Sequence, residues 1–180
     1  MRTTNRHLFA YGTLRWALLP PAYRPGLARD VTPPPEQSSA NPIWNEEQFP
    51  DLLRAVFERL RYAGTARVRG RLYDLGPYPA AILDPQADGD VVGDVYLLPP
   101  DPAVIVSLDA YEGYDARYPE RSLFRRVPVN IWLPNDETMP CWMYVYNRPL
   151  DNAVPIPGGD YLAYRRWNAL VTSGSLPPAV

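Results

Sequence analysis

The spacing of apolar positions along this 180-residue chain changes several times, and each change predicts an element. Leu8, Phe9 and Ala10 predict a short strand from His7 to Tyr11, ending at Gly12 in Tyr11-Gly12-Thr13-Leu14-Arg15. Leu52, Leu53, Val56, Phe57 and Leu60 fall on one helical face, with Asp51, Arg54, Glu58 and Arg61 on the other. A helix is therefore expected to start at Pro50 and stop at Gly64. Beyond Gly64 the period becomes two. Arg67, Arg69 and Arg71 alternate with Val68, Gly70 and Leu72, then Tyr73-Asp74-Leu75 leads to a Gly76-Pro77 turn and a short apolar segment from Ala80 to Leu83. Another strand is expected from Val91 to Leu98, interrupted at Gly93. Asp101 is a candidate N-cap for a short helix from Pro102 to Tyr111 that ends near Glu112-Gly113. Two longer strands, Leu123 to Leu133 and Pro140 to Tyr146, flank the turn Pro134-Asn135-Asp136. A last helix begins after Gly158-Gly159 with Asp160 as its N-cap and runs through Tyr161, Tyr164, Trp167 and Leu170.

The pattern amounts to about six strands and three helices, with no internal repeat. Several consecutive strands are too closely spaced for helical crossovers, so the expectation is an α+β fold. It is built on a largely antiparallel, barrel-like sheet, formed by residues 1–180 as a single domain. Between Pro20 and Pro50 the pattern lapses: eight Pro and the polar run Gln37-Ser38-Ser39 predict an irregular loop. Together with the helix after it, this forms a Pro-rich insertion at about 16–62. A loop of that length in a compact domain suggests a lid or a mobile insertion, expected near the mouth of any pocket.

Composition then narrows the chemistry. The chain has 18 Arg and no Lys, one His (His7) and one Cys (Cys141). Without Lys there is no Schiff base, no pyridoxal anchor and no P-loop. One His and one Cys cannot build a structural zinc site or an internal disulfide. A Ser-His-Asp or Cys-His site would have to use His7, ahead of the first loop. Proton transfer at neutral pH falls mainly to the carboxylates, 13 Asp and 7 Glu, with 13 Tyr as donors. A formal charge of −2 gives no overall attraction to polyanions, and no apolar run approaches membrane-spanning length. The chain is expected to be cytoplasmic, with no nucleic-acid and no membrane partner.

Two places could carry chemistry. The loop from Tyr11 to Arg15 leaves successive backbone N–H groups able to converge on an anion, with the Thr13 hydroxyl beside them; Gly12 could equally serve only a turn. Glu112 stands at the end of an apolar helix, and Tyr111 and Tyr114 could shield it and raise its pKa. It could also be a solvated helix terminus. Asp109, in the same segment, is either its polar partner or solvated. The Arg67, Arg69, Arg71 row reads as the ion-paired face of a half-buried strand or as a phosphate-binding patch. Cys141, beside Trp142, reads as buried and inert.

Six ordered blocks together resemble the gamma-glutamylcyclotransferase-like (AIG2-like) family. They are 8–15 (LFAYGTLR), 68–75 (VRGRLYDL) with 78–80 (YPA), 92–96 (VGDVY), 108–114 (LDAYEGY), 124–129 (FRRVPV) and 142–146 (WMYVY). The resemblance implies a small mixed, largely antiparallel β-barrel with flanking helices, and release of 5-oxoproline from a gamma-glutamyl compound without cofactor or metal. It implies that Tyr11, Gly12, Thr13 and Leu14 hold the gamma-glutamyl end, that Glu112 is the general acid/base, and that Tyr161, near the start of the last helix, also contacts substrate. The substrate's own α-amine would be the nucleophile, so the missing Lys, Ser-His and Cys-His chemistry is not needed. A non-catalytic small-molecule binder on the same fold is the alternative. Two departures from the family pattern concern substrate choice: the insertion at 16–62, and Phe124, where many relatives carry Tyr before the Arg. Neither the departing amine nor the oligomeric state is specified by these motifs.

Overall fold

The protein is described by a computed structural model covering residues 5–34 and 43–173. Its strands are β1 (His7–Ala10), β2 (Gly26–Leu27), β3 (Arg61–Asp74), β4 (Pro79–Leu83), β5 (Asp90–Leu97), β6 (Phe124–Trp132), β7 (Thr138–Tyr146) and β8 (Val154–Pro155). The helices are α1 (Asp51–Phe57), α2 (Pro102–Tyr111) and α3 (Tyr161–Thr172). Five strands close a barrel in the order β3-β5-β1-β7-β6, and the Arg67 and Trp132 pair joins β6 back to β3. Within that barrel β1 runs parallel to β7, and the other neighbours are antiparallel. The short strands β2, β4 and β8 all extend β3. The α+β barrel-like sheet expected from the pattern, and the mixed barrel implied by the resemblance, match the observed architecture.

Strand parity divides the apolar residues into two cores. Phe9, Tyr11, Val91, Val95, Ile131, Cys141 and Met143 point into the barrel. Leu8, Ala10, Tyr96 and Tyr144 point outward, where Leu53, Val56 and Phe57 of α1 and Val104 and Leu108 of α2 cover them. Strands buried on both faces read as near-continuous apolar runs, as β1 and much of β5 do. Tyr161 and Leu162 at the start of α3 pack with the barrel interior.

Several expected boundaries move. The helix ends at Phe57 rather than at Gly64, because Leu60 and Tyr62 are buried and Tyr62 already pairs with Tyr96 of β5. Gly64 lies in a bulge of β3 with φ 111°, a conformation that favours glycine. The extra residue reverses parity, so Tyr62 faces the outer core while Ala66, Val68 and Leu72 face the inner one. β5 runs through Gly93 without a break, pairing it with Ala66. Eight strands replace the expected six because β2 and β8 have only two residues each, too short to leave a periodic signature.

The region after the first loop is more structured than its Pro content suggests. It forms 3-10 turns at Trp16–Leu18 and Pro21–Tyr23, and an aromatic row in which Tyr23 stacks on Phe49 at 5.2 Å and Phe57 meets Tyr96 edge-on at 5.5 Å. The run Gln37-Ser38-Ser39 lies outside the described residues. α1 packs on α2, and Arg59 reaches Asp101, the N-cap of α2, at 2.7 Å. Each Arg of the β3 row meets a carboxylate: Arg67 with Asp90 and Asp136, Arg69 with Asp90, and Arg71 with Asp84. Among the described residues no helix is long and apolar enough to cross a membrane.

Candidate active site

A cavity of about 200 Å³ lies where the end of α2 meets β1, β7 and β6, with side chains of both cores in its lining. Tyr11, Gly12, Thr13, Leu14 and Glu112 all line it, so five of the six residues singled out from sequence come together. Tyr78, Pro79, Leu123, Phe124 and Tyr144 complete much of the wall.

The loop is pinned at nearly every residue. The Tyr11 hydroxyl donates to the Tyr144 carbonyl at 2.8 Å. The Pro79 ring packs so closely on Gly12 that a Cβ there would lie 2.8 Å from Pro79 Cγ. The Tyr96 hydroxyl donates to the Leu14 carbonyl at 2.8 Å, and the Arg15 N–H closes a turn on the Gly12 carbonyl at 3.1 Å. Among the described residues the N–H groups of Gly12, Thr13 and Leu14 meet no acceptor. Three unspent donors on one short loop can bind a carboxylate or an oxyanion.

Behind the loop is a buried charge cluster that the sequence reading did not assign. Arg15 Nε and Nη2 donate to Asp94 Oδ1 at 3.2 and 3.1 Å, and Nη1 donates to Asp160 at 2.6 Å. The Trp16 N–H donates to Asp94 Oδ2 at 2.7 Å. Asp160 also caps α3, accepting from the Leu162 N–H at 2.9 Å. One guanidinium thus ties the end of the loop to β5 and to α3. A carboxylate in the otherwise apolar run from Val91 to Leu98 was the available signal, because an acid there must be buried and paired.

Glu112 is the C-cap of α2, and Gly113 follows in the left-handed region at φ 65°, which ends the helix and turns the chain away. The side chain is only partly exposed, and burial pushes its carboxyl up to about 8. No arginine lines the cavity among the described residues, so nothing there offsets this desolvation. The neighbouring Tyr111 hydroxyl is bonded to the Thr13 side chain, and burial together with the Glu112 charge pushes it up to about 12. Asp109, one turn earlier, is neither solvated nor bonded to Glu112: it accepts from the Tyr144 hydroxyl at 2.7 Å and lies 2.9 Å from Arg126 Nε.

The structure does not bring Tyr161 to this cavity. Its ring is buried with the inner core, 5.8 Å from the Arg165 guanidinium, and it borders a groove with Asp74, Gly76 and Tyr164 instead. Tyr161 is the first residue of α3, and the start of that helix packs with the barrel interior. The insertion is likewise absent from the lining: no described residue from 16 to 62 borders the cavity. Cys141 is buried in the barrel, with its thiol pushed up to about 12 by burial. Among the described residues no cluster of His, Cys, Asp and Glu could hold a metal ion.

With barrel, loop and buried acid in place, comparison with known proteins identifies the class. The family described as "Gamma-glutamyl cyclotransferase, AIG2-like" matches residues 45–163, and the chain belongs to that family. It is 34% identical over 92 residues to the gamma-glutamylcyclotransferase family protein YtfP of Escherichia coli K12, covering 51% of this chain and 67% of that protein. The Citrobacter rodentium counterpart is 32% identical over the same length. Among solved structures, YkqA from Bacillus subtilis shares the fold with a TM-score of 0.53 at 16% identity; the match covers 95% of this chain and 43% of that one.

Proposed function

We propose that the protein is a gamma-glutamyl cyclotransferase that releases 5-oxoproline and a free amine or amino acid from a gamma-glutamyl compound. The observation that carries this reading is a carboxyl pushed up to about 8 in a small cavity that also presents the unspent N–H groups of Gly12, Thr13 and Leu14. A base tuned toward neutrality suits proton abstraction from an ammonium at physiological pH.

In the proposed reaction Glu112 takes a proton from the substrate's α-ammonium. The freed amine attacks the γ-carbonyl of the same molecule, forming the ring C–N bond, and the loop N–H groups stabilise the oxyanion. Breakdown cleaves the original amide C–N bond. Of the three ammonium hydrogens, one stays on the lactam nitrogen and two end on the departing nitrogen, delivered through Glu112. The chemistry requires no external nucleophile and no redox partner.

Incubating the protein with a panel of gamma-glutamyl amines, amino acids and peptides, with 5-oxoproline as the readout, tests the assignment. Turnover of at least one member is expected, together with a loss of about 10²- to 10⁴-fold in Glu112→Gln. Full activity in that variant would sink the role given to Glu112. Thermal stabilisation by panel members without turnover would favour a binding protein on the same fold.

A further inference from the structure

We propose that Tyr144 forms, beside Glu112, a seat for a primary ammonium, and that Asp109 and Arg126 fix the direction of its hydroxyl. The seat deepens the reading above, in which that ammonium is the α-ammonium of the gamma-glutamyl group.

A tyrosine hydroxyl has one hydrogen to donate and lone pairs to accept with. The Tyr144 hydrogen is committed to Asp109 Oδ1 at 2.7 Å. Asp109 is held in turn by Arg126, whose guanidinium lies 4.6 Å from the Trp142 ring centre and 5.7 Å from that of Tyr114. With its proton directed at Asp109, Tyr144 can act toward the cavity only as an acceptor. Among the described residues no donor is aimed at its oxygen or at the Glu112 carboxylate.

The two acceptors are neighbours. Asp109 and Glu112 are three residues apart on α2 and so share a helix face. Tyr144 and Glu112 line the same cavity, and the Tyr144 hydroxyl is close enough to feel the Glu112 charge. The Tyr11 hydroxyl there is already engaged, donating to the Tyr144 carbonyl at 2.8 Å. An ammonium placed between Glu112 and the Tyr144 lone pairs favours the ionised form of Glu112 and satisfies both acceptors, whereas a carboxylate there would be repelled by that ionised form and by the lone pairs. Once one ammonium proton has passed to Glu112, Tyr144 holds a remaining N–H and keeps the nitrogen lone pair directed at the γ-carbonyl. Tyr144 is thus a substrate-binding group, with Asp109 and Arg126 as positioning residues.

The experiment compares two probes that differ only at the α-position: L-glutamine, which carries the ammonium, and glutaramate, which has hydrogen there. Affinities are read by NMR titration of wild-type protein, Tyr144→Phe and Asp109→Asn. Wild type is expected to prefer L-glutamine. Tyr144→Phe should weaken L-glutamine binding by about ten-fold, the loss of one charge-assisted hydrogen bond, and leave glutaramate unchanged. Asp109→Asn, whose amide oxygen can still accept the Tyr144 hydrogen, should retain most of the preference. A general packing defect would weaken both probes equally, and that result overturns the proposal. So does a wild type that binds the two probes alike or binds neither. If the ammonium preference appears as described while no panel member yields 5-oxoproline, the seat stands and the cyclotransferase reading fails.

Discussion

Glu112→Gln should make the protein more stable, and the gain should depend on pH. A carboxyl raised from the ordinary 4.5 to about 8 binds its proton more tightly in the folded state than in the unfolded chain. Folding stability is therefore complete below pH 4.5 and is lost as pH rises, until the folded carboxyl itself ionises near 8. The difference between those values corresponds to about 5 kcal/mol at alkaline pH and about 3 kcal/mol at pH 7. These are upper bounds, because water in the cavity solvates part of the charge. A few kcal/mol is still a large share of the roughly 5–15 kcal/mol that a domain usually has. Glutamine occupies nearly the same space without ionising. Urea denaturation of both proteins at pH 4, 7 and 9 isolates the effect, since all other titrating groups cancel in the difference. The expected outcome is near-equal stability at pH 4 and a growing advantage for the variant at pH 7 and 9, with unchanged slopes. A difference independent of pH, or a variant less stable at pH 9, would refute the claim that Glu112 is desolvated at a cost to stability.

Two further substitutions address the surroundings of the site. Asp94→Ala leaves the Arg15 guanidinium buried without its main partner, and a loss of about 3–5 kcal/mol is expected in urea denaturation; the double variant with Arg15→Met should recover part of it. Tyr161→Phe removes a hydroxyl outside the cavity, so 5-oxoproline formation should change by less than about two-fold.

Much of the framework was legible in order. Asp101 and Asp160 announced α2 and α3 because an N-cap depends only on neighbouring residues, and both carboxylates accept from backbone N–H groups as expected. The loop from Tyr11 to Leu14 and Glu112 were legible as candidates because each follows the end of a periodic segment. The end of α1 was misplaced because Leu60 suits a helix face and a strand face equally well. What separated the two was the Tyr62 partner, Tyr96, which lies far along the chain. The insertion, expected near the mouth of a pocket from its length and proline content, has no described residue in the cavity lining; its aromatic residues and α1 pack in the outer core with α2.

The sequence by itself determined the alternation of strands and helices, the caps, and a residue inventory without lysine in which carboxylates are the main groups able to move a proton at neutral pH. Those features depend on local propensity and on which functional groups exist at all. The closed barrel decided which face each residue took. One residue added at the β3 bulge exchanges inside and outside along that strand, and the packing of β7 near the end of α2 put Tyr144 and Glu112 on one cavity while Tyr161 is buried with the barrel interior. Desolvation of Glu112, the Asp109 grip on Tyr144 and the Arg15 tie to Asp94 all depend on contacts between distant segments, and only the tertiary structure brings those segments together.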